Sequence, residues 1–343
     1  MNKESFLSKL VFLCNKVLAL LTILAYILPF LAPKLFPFLS VLTLLLPLFL
    51  ILNAIFFVFW ALQLKRKMIL SGLVLFFGIT FVSKLYKFSE TNLQQEPTDI
   101  TLMSYNVRLF NLYEWLPAKD IPEQITEVIQ DYNPDVLCLQ EYSPNDRVRL
   151  RNFPYKFVEV DGGKNKYGQA IYSKFEIVNK GEIDFPNSSN NVLFVDVIKQ
   201  NDTIRVYSMH LQSIKISTDI HEKIDENKSK FIFKRISEAF SEQQLQAEMI
   251  KKHYESCKYP KVICGDMNNS AFSYVYRTIK GDMKDAFEMA GTGFGKSYNF
   301  DFYPARIDYI FTEKDFKIKE FKSDSKFKLS DHFPIYTRMS LEK

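Results

Sequence analysis

Three stretches near the N-terminus contain no charged residue: Val17 to Pro33, Leu35 to Leu64 and Met68 to Ser83. A bilayer-spanning helix needs roughly 20 predominantly apolar residues, and a Lys at its end reaches the interface along an aliphatic stem. Residues 1–87 are therefore expected to hold about three transmembrane helices, near 10–32, 37–62 and 68–86. Pro47 falls inside the second, where neighbours can satisfy the freed carbonyl. A secretory signal has one short apolar core and a small-residue cleavage site. Here the apolar sequence resumes twice, which argues for retained spans.

Basic residues set the expected orientation. Lys65, Arg66 and Lys67 stand together between the second and third runs, whereas only Lys34 separates the first two. The positive-inside rule places that loop, and the N-terminus with Lys3 and Lys9, in the cytoplasm. Three crossings then put the rest of the chain on the extracytoplasmic face of a bacterial-type inner membrane. Lys84 and Lys87 flank the opposite end and pull against this orientation.

The formal charge is +5 over 343 residues. Nine Lys or Arg against four Asp or Glu precede residue 100, so the excess belongs to the membrane flanks and leaves 35 of each sign beyond. A protein that grips nucleic-acid backbone usually carries a basic footprint, because counterion release drives that binding. A neutral domain argues against a dedicated nuclease. The four cysteines, Cys14, Cys138, Cys257 and Cys264, form no CxxC pair or metal-ligand spacing, and buried Cys usually serves as a small hydrophobe. Unpaired thiols sit awkwardly with an extracytoplasmic domain.

Residues 88–99 are polar and read as a linker, and a second domain is expected over 100–343. Strands are expected at Thr101 to Asn106, Asp135 to Gln140, Lys156 to Val160, Gln169 to Ser173, Val192 to Lys199 and Thr203 to Ser208. Four more follow at Lys261 to Cys264, Ile307 to Phe311, Phe316 to Phe321 and Pro334 to Met339. Ile121, Ile125, Val128 and Ile129 have amphipathic helical spacing before Asn133-Pro134 ends the pattern. Lys228 to Tyr254 and Phe272 to Ile279 also read as helical. Without strict βαβ alternation, mixed sheets with helices on their outer faces are expected.

Short polar clusters close several of these strands: Ser104-Tyr105-Asn106, Gln140-Glu141, Met209 to Ser213, Gly265 to Asn268, Arg306 to Tyr309 and Ser330 to His332. Groups at strand ends can be positioned by a rigid sheet. Asn106, Glu141, Asp266, Asn268, Asp308 and Asp331 offer oxygen atoms, which suit a hard cation such as Mg²⁺ or Mn²⁺ rather than zinc. Of four histidines, His210 and His332 fall inside the clusters; His221 and His253 read as solvated surface residues. Taken singly, each cluster has an ordinary explanation: a solvated strand end, a helix cap at Ser330, a tight turn at Gly265. Their joint occurrence in one order is what the ordinary explanations fail to cover.

In that order they resemble the endonuclease/exonuclease/phosphatase superfamily, which includes DNase I-like nucleases, neutral sphingomyelinases and inositol polyphosphate 5-phosphatases. Tyr167 to Lys174 also looks like that family's G-x-A-I-x-S-[KR] strand. The resemblance covers roughly residues 100–343 and implies an α/β fold: a four-layered α/β sandwich of two packed mixed β-sheets flanked by helices, preceded here by the transmembrane helical region. It implies Glu141 as principal metal ligand, with Asn106 and Asp331 helping to coordinate the metal or a metal-bound water. His332 would face the phosphorus with Asp308 fixing its tautomer, the pairing a general base requires. Asp266 would position or deprotonate the attacking water, Asn268 would hold a phosphate oxygen and His210 would donate to the phosphoryl group. The general base, His332 or Asp266, and the number of metals stay open.

His at position 210 resembles the nuclease, sphingomyelinase and inositol phosphatase branches rather than the abasic-site endonucleases, which place Tyr there. The stretch Ser213 to Glu248 is longer than a minimal connection. It reads either as a solvated amphipathic helix or as a cap in which Lys228, Lys230, Lys234 and Arg235 face an anionic substrate or lipid head group. Together these features predict a membrane-anchored, metal-dependent phosphoesterase acting on a lipid-derived or small soluble phosphoester near the bilayer. The competing expectations are a surface Mg²⁺-dependent nuclease and a catalytically silent binding scaffold.

Overall fold

The computed structural model describes residues 5–162, 166–214, 226–300 and 303–342. Lys3 and His221, named above, lie outside the described residues. The N-terminal region is helical: α1 (Phe6–Ala25), α2 (Pro37–Val41), α3 (Leu46–Leu62), α4 (Met68–Phe77) and α5 (Ile79–Leu85). With their adjoining turns, Phe6–Phe30 and Pro37–Leu62 are each long and apolar enough to cross a membrane. Pro47 sits in the first turn of α3, where its missing N–H has no helical partner to lose.

The expected third span is broken. Axes α4 and α5 meet at 79°, and the bend falls at Gly78, where an added Cβ would come 2.0 Å from the Tyr26 hydroxyl. That hydroxyl donates to the Val74 carbonyl at 2.9 Å, so a phenol occupies the inside of the bend. At 1.5 Å per residue α4 alone covers only about half of a hydrocarbon core. Polar bonds tie the helices together: Asn15 donates to Ser71 (2.7 Å) and accepts from the Trp60 indole (3.1 Å), and Asn53 donates to Thr22 (2.8 Å). Such bonds contribute about 0.6–2 kcal/mol each between helices in lipid, where apolar contact alone gives little drive.

Beyond residue 99 come β1 (Ile100–Asn106), α6 (Ile121–Tyr132), β2 (Val136–Tyr142), β3 (Tyr155–Asp161), β4 (Tyr167–Ser173), β5 (Glu176–Asp184), β6 (Asn191–Lys199) and β7 (Asp202–His210). They are followed by α7 (Glu226–Glu255), β8 (Lys261–Asp266), α8 (Tyr274–Lys280), β9 (Lys284–Asp285), α9 (Ala286–Ala290), β10 (Asp308–Thr312), β11 (Phe316–Ser323) and β12 (Ile335–Leu341). Two six-stranded mixed sheets result, ordered β11-β12-β1-β2-β4-β3 and β5-β6-β7-β8-β10-β9. Their inner faces share a core that includes Leu102, Val136, Cys138, Ile171, Val195, Val206, Val262, Cys264 and Ile310. Helix α6 covers the first sheet through Ile121, Ile125 and Ile129, and α7 and α8 cover the second through Ala247, Ile250, Val275 and Ile279. The architecture is the expected four-layered sandwich.

Burial on both faces explains why the central strands read as unbroken apolar runs. Strand β5 escaped the sequence reading because it lies at an edge, with six of its nine residues exposed. His253 is half-buried rather than solvated: its Nδ1 lies 3.0 Å from the Tyr207 hydroxyl and its ring packs on Phe194.

The helical region is seated on the sandwich. Phe272 joins an apolar cluster with Ala25, Leu28, Leu46 and Leu50. Arg277 donates to the Pro29 carbonyl (3.2 Å) and lies over the Phe30 ring, Lys34 N donates to Gln244 (2.9 Å), and Arg306 donates to the Lys84 carbonyl (3.2 Å). Residues 88–99 run along the domain: Thr91 N donates to Ala290 O and Leu93 N to Lys319 O, and Asp99 is held by Lys319 (2.6 Å) and Arg338 (3.1 Å). Of the cationic cap, Lys230 and Lys234 pair along the helix with Glu226 and Glu238, and Arg235 lies over Phe231. Phe233, on the same stretch, packs on Phe38 of α2.

Candidate active site

Neighbouring strand ends bring the polar clusters together. Strands β7 and β8 run parallel with His210 opposite Asp266, and β10 runs antiparallel to β8 with Asp308 opposite the same Asp266. Residues paired this way project to the same face, about 5 Å apart. From the facing sheet, Asn106 ends β1 and Glu141 lies near the end of β2, which pairs parallel to β1. The Asn106 carboxamide bridges the sheets, donating to Asp266 Oδ2 (3.1 Å) and Glu141 Oε1 (3.3 Å).

His332 Nδ1 contacts Asp308 Oδ2 at 2.9 Å and its Nε2 points to Asp266 Oδ2 at 3.6 Å. Burial alone would disfavour the charged imidazole, yet Asp308 and Asp266 outweigh it and hold its pKa well above the ordinary value. Burial pushes the Asp266 carboxyl up to about 7, opposed by His332 and helped by Asp308. His210 Nε2 stands 3.8 Å from both Glu141 and Asp266. It is buried and has no hydrogen-bond partner among the described residues, and burial lowers its pKa, leaving a neutral ring at neutral pH.

Asn268 lies against Asp266. Its backbone N–H donates to Asp266 Oδ1 (2.8 Å), and its carboxamide donates to Leu211 O (3.0 Å) and Asp266 Oδ2 (3.2 Å). Its donors are committed to orienting Asp266. Asp331 lies at the rim, accepting from Ser330 Oγ (3.2 Å) and 3.5 Å from Arg108 Nε.

The local backbone is shaped for these placements. Glu141 has φ +47° at a point where the β2–β4 register slips, and Asn268 has φ +51°. Gly265 has φ +127°, and a Cβ there would sit 2.0 Å from the Met209 carbonyl oxygen of the neighbouring strand. Only glycine fits that contact and that dihedral. Gly265→Ala is expected to cost about 3 kcal/mol or more, read as a lowered Tm; an unchanged Tm would refute the close strand approach.

Several residues around the site were given no role from sequence. Gln140 donates to Ser208 (2.9 Å), Ser208 to Gln169 (2.8 Å), and Gln169 to the Asn191 carbonyl (2.8 Å), a buried chain beneath the site. Ser297 Oγ accepts from both Ile307 N (3.0 Å) and Asp308 N (2.9 Å), fixing the loop that presents Asp308. Tyr298 meets the His332 ring edge-on at 4.9 Å, and burial, then the charge of Asp331, push its phenol up to about 12. Arg108 donates its N–H to Asn106 Oδ1 (3.1 Å). Ser297, Tyr298 and Arg108 lie in loops with no periodic signal.

Among the described residues, one trio of buried groups could hold a metal: Asp266, Asp308 and His332, with ligand atoms within 4.8 Å of one another. Asp308 spends its carboxylate on the His332 ring, so it orients rather than ligates. The donor set facing the same space, Glu141, Asn106, Asp266 and Asp331, is oxygen-rich, and the unpartnered His210 Nε2 lacks a ligand atom to meet. These features fit a hard divalent cation with a bound anion.

The profile of the Endonuclease/Exonuclease/phosphatase family matches residues 103–332. The chain belongs to this family. A domain of unknown function, DUF8431, matches residues 8–85. No curated protein is significantly similar in sequence. The endonuclease/exonuclease/phosphatase from Beutenbergia cavernae DSM 12333 superposes with a TM-score of 0.53 at 15% identity, over 71% of this chain and 72% of that one. The human Nocturnin catalytic domain with bound sulfate gives 0.53 at 16% identity, over 75% and 97% of the two chains. D. rerio TDP2 complexed with single-strand DNA product gives 0.52 at 18% identity, over 71% and 99%. These likenesses speak to the fold. Family members hydrolyse phosphoester bonds, and this chain carries the family's polar clusters on that fold.

Proposed function

We propose that this protein is a membrane-anchored, divalent-metal-dependent phosphoesterase that hydrolyses a lipid-derived or small soluble phosphoester by water attack. The observation that carries the reading is the buried Asp308–His332–Asp266 alignment across from Glu141 and Asn106. A Mg²⁺ or Mn²⁺ ion held by Glu141, Asn106 and Asp331 would supply positive charge against the phosphoryl oxygens.

The protein groups supply the rest. Asp308 fixes His332 in one tautomer and orientation. His332 and Asp266 share the space where a water proton would be taken, and a carboxyl titrating near neutrality is suited to accept it. Asn106 and Asn268 hold Asp266 in place. His210 offers a neutral N–H, with no protein acceptor, to a phosphoryl oxygen gaining charge.

Placement on the extracytoplasmic face is supported by the arrangement of the helices. Lys67 reaches Ser8 at one end of the helical region (3.2 Å), whereas Pro29, Lys34 and Lys84 meet the sandwich at the other. The Lys65–Lys67 loop and the N-terminus thus share the side away from the catalytic domain. The neutral charge of that domain keeps polymeric nucleic acid the less favoured substrate.

The test uses the full-length chain in nanodiscs with bis-p-nitrophenyl phosphate, sphingomyelin, phosphoinositides and plasmid DNA. Turnover is expected to vanish with EDTA and return with Mg²⁺ or Mn²⁺. Turnover that survives EDTA would overturn the metal dependence, and preference for DNA with a steep salt slope would turn the reading to a nuclease.

A further inference from the structure

The rim of the site beside Asp331 carries a rigid aromatic platform that the mechanism above does not use. Arg108 to Asn111 all have left-handed φ, between +42° and +62°, which throws the chain outward immediately after β1. Asn111 then closes the loop on itself: its Nδ2 donates to Leu116 O (2.9 Å) and its Oδ1 accepts from Leu116 N (2.9 Å). The loop so pinned presents Trp115, 41% exposed, and Tyr113, 56% exposed, packed edge-to-face with ring centres 5.3 Å apart.

Arg108 connects this platform to the reacting centre. Its guanidinium lies over the Trp115 ring at 4.4 Å, its Nε is 3.5 Å from Asp331, and its backbone N–H holds Asn106. With Nε facing Asp331, the stacked guanidinium has its two Nη groups to offer a phosphoryl oxygen bound beside that carboxylate. An indole left partly in water one side chain away from a proposed metal ligand offers its π-face to whatever group is bonded to that phosphate.

We propose that Arg108 and Trp115 form the leaving-group subsite, and that the substrate is a phosphoester whose organic group presents a flat ring face beside the phosphate. Arg108 takes a non-bridging phosphoryl oxygen, and Trp115, backed by Tyr113, stacks on the ring. The ring is either a heteroaromatic base or the carbon face of a polyol ring; an open-chain glycerol ester lacks it. This assignment rests on the phosphoesterase reading of the same site.

The chain has two tryptophans. Trp60 is 1% exposed and bonded to Asn15 in the helical region, so a ligand-dependent change in emission reports Trp115. The full-length protein in nanodiscs, with Ca²⁺ present, is titrated separately with adenosine 5′-phosphorothioate, inositol 1-phosphate, glycerol 3-phosphate and inorganic phosphate. A saturable emission change is expected with a ring-bearing ester and not with glycerol phosphate or phosphate at equal concentration; which of the first two produces it distinguishes base from polyol. In steady state, Trp115→Ala is expected to raise KM for the ring-bearing ester relative to the glycerol ester about five- to a hundredfold, with Trp115→Phe recovering most of it. No saturable change with either ring-bearing ester, or an equal change with glycerol phosphate, overturns the subsite. The emission arm needs no turnover, so its outcome separates failure of the subsite from failure of the hydrolase reading.

Discussion

Replacing His332 with Asn is expected to lower kcat by about 10² to 10⁴, the usual contribution of a positioned acid or base, while Tm changes little. Asn is chosen because its carboxamide can still donate to Asp308, which is 2% exposed and would otherwise be left as an unpaired buried charge, a loss that alone costs about 3–5 kcal/mol. Glu141→Ala is expected to cut turnover at least as deeply, since it removes the carboxylate proposed as principal metal ligand, which Asn106 holds from the facing strand. Its side chain is one-third exposed, so the fold does not depend on it. Turnover within tenfold of wild type in either variant, at saturating Mg²⁺, would sink the catalytic assignment. A fall in Tm that tracks the loss of activity would make these residues structural instead.

Much of the site was visible in the sequence because its carboxylates sit at the ends of apolar strands, where a charged side chain has no packing reason to be. Asp266 after Val262 to Cys264 and Asp308 at the head of β10 are such cases, and their exact pairing across β8 and β10 adds what a linear reading lacks. What the sequence does not show depends on tertiary contact. Asn268, read as reaching phosphate, also donates to Leu211 and Asp266, a partnership decided by the approach of β7 to β8. The run 68–86 carries no mark of its bend except Gly78, whose meaning comes from Tyr26, 52 positions earlier in the chain. Tyr298 and Ser297 lie in a loop without periodicity, so nothing local separates them from other loop residues.

Helix α7 shows how the two halves of the molecule share one site. Gln243 donates to Gln212 O (2.7 Å) and Asn268 O (3.1 Å) and accepts from Asn269 (2.7 Å); the next residue, Gln244, accepts from Lys34 N of the helical region. Adjacent amides on one helix thus hold the Asn268-Asn269 loop after β8 and the N-terminal helical region. The turns of α7 before Gln243 run beyond the strand ends and pack Phe233 on Phe38. Helix α7 thereby contacts the N-terminal helical region at both Gln244 and Phe233.

A chain beginning at residue 95 is expected to be far less stable than one beginning at residue 87, although both contain every strand. Arg338 is 5% exposed and depends on Asn92 Oδ1 (2.9 Å) and Leu93 O (2.7 Å) in addition to Asp99 and Glu320. Deleting residues 87–94 strips two hydrogen bonds from a buried guanidinium, each worth about 1.5–3 kcal/mol when the donor is charged. It also removes the Leu93 N–H donated to Lys319 O. A loss of about 3–6 kcal/mol is a large part of the 5–15 kcal/mol that holds a domain folded, so the shorter chain should melt about 6–24 °C lower. Both truncations lose the cover over Phe272 and the Lys84 carbonyl that caps Arg306, and both should require detergent to stay monodisperse. Equal Tm values for the two chains would show that residues 87–94 are a passive tether, and a monodisperse, detergent-free domain from residue 87 would show that the helical region only anchors the sandwich rather than completing it.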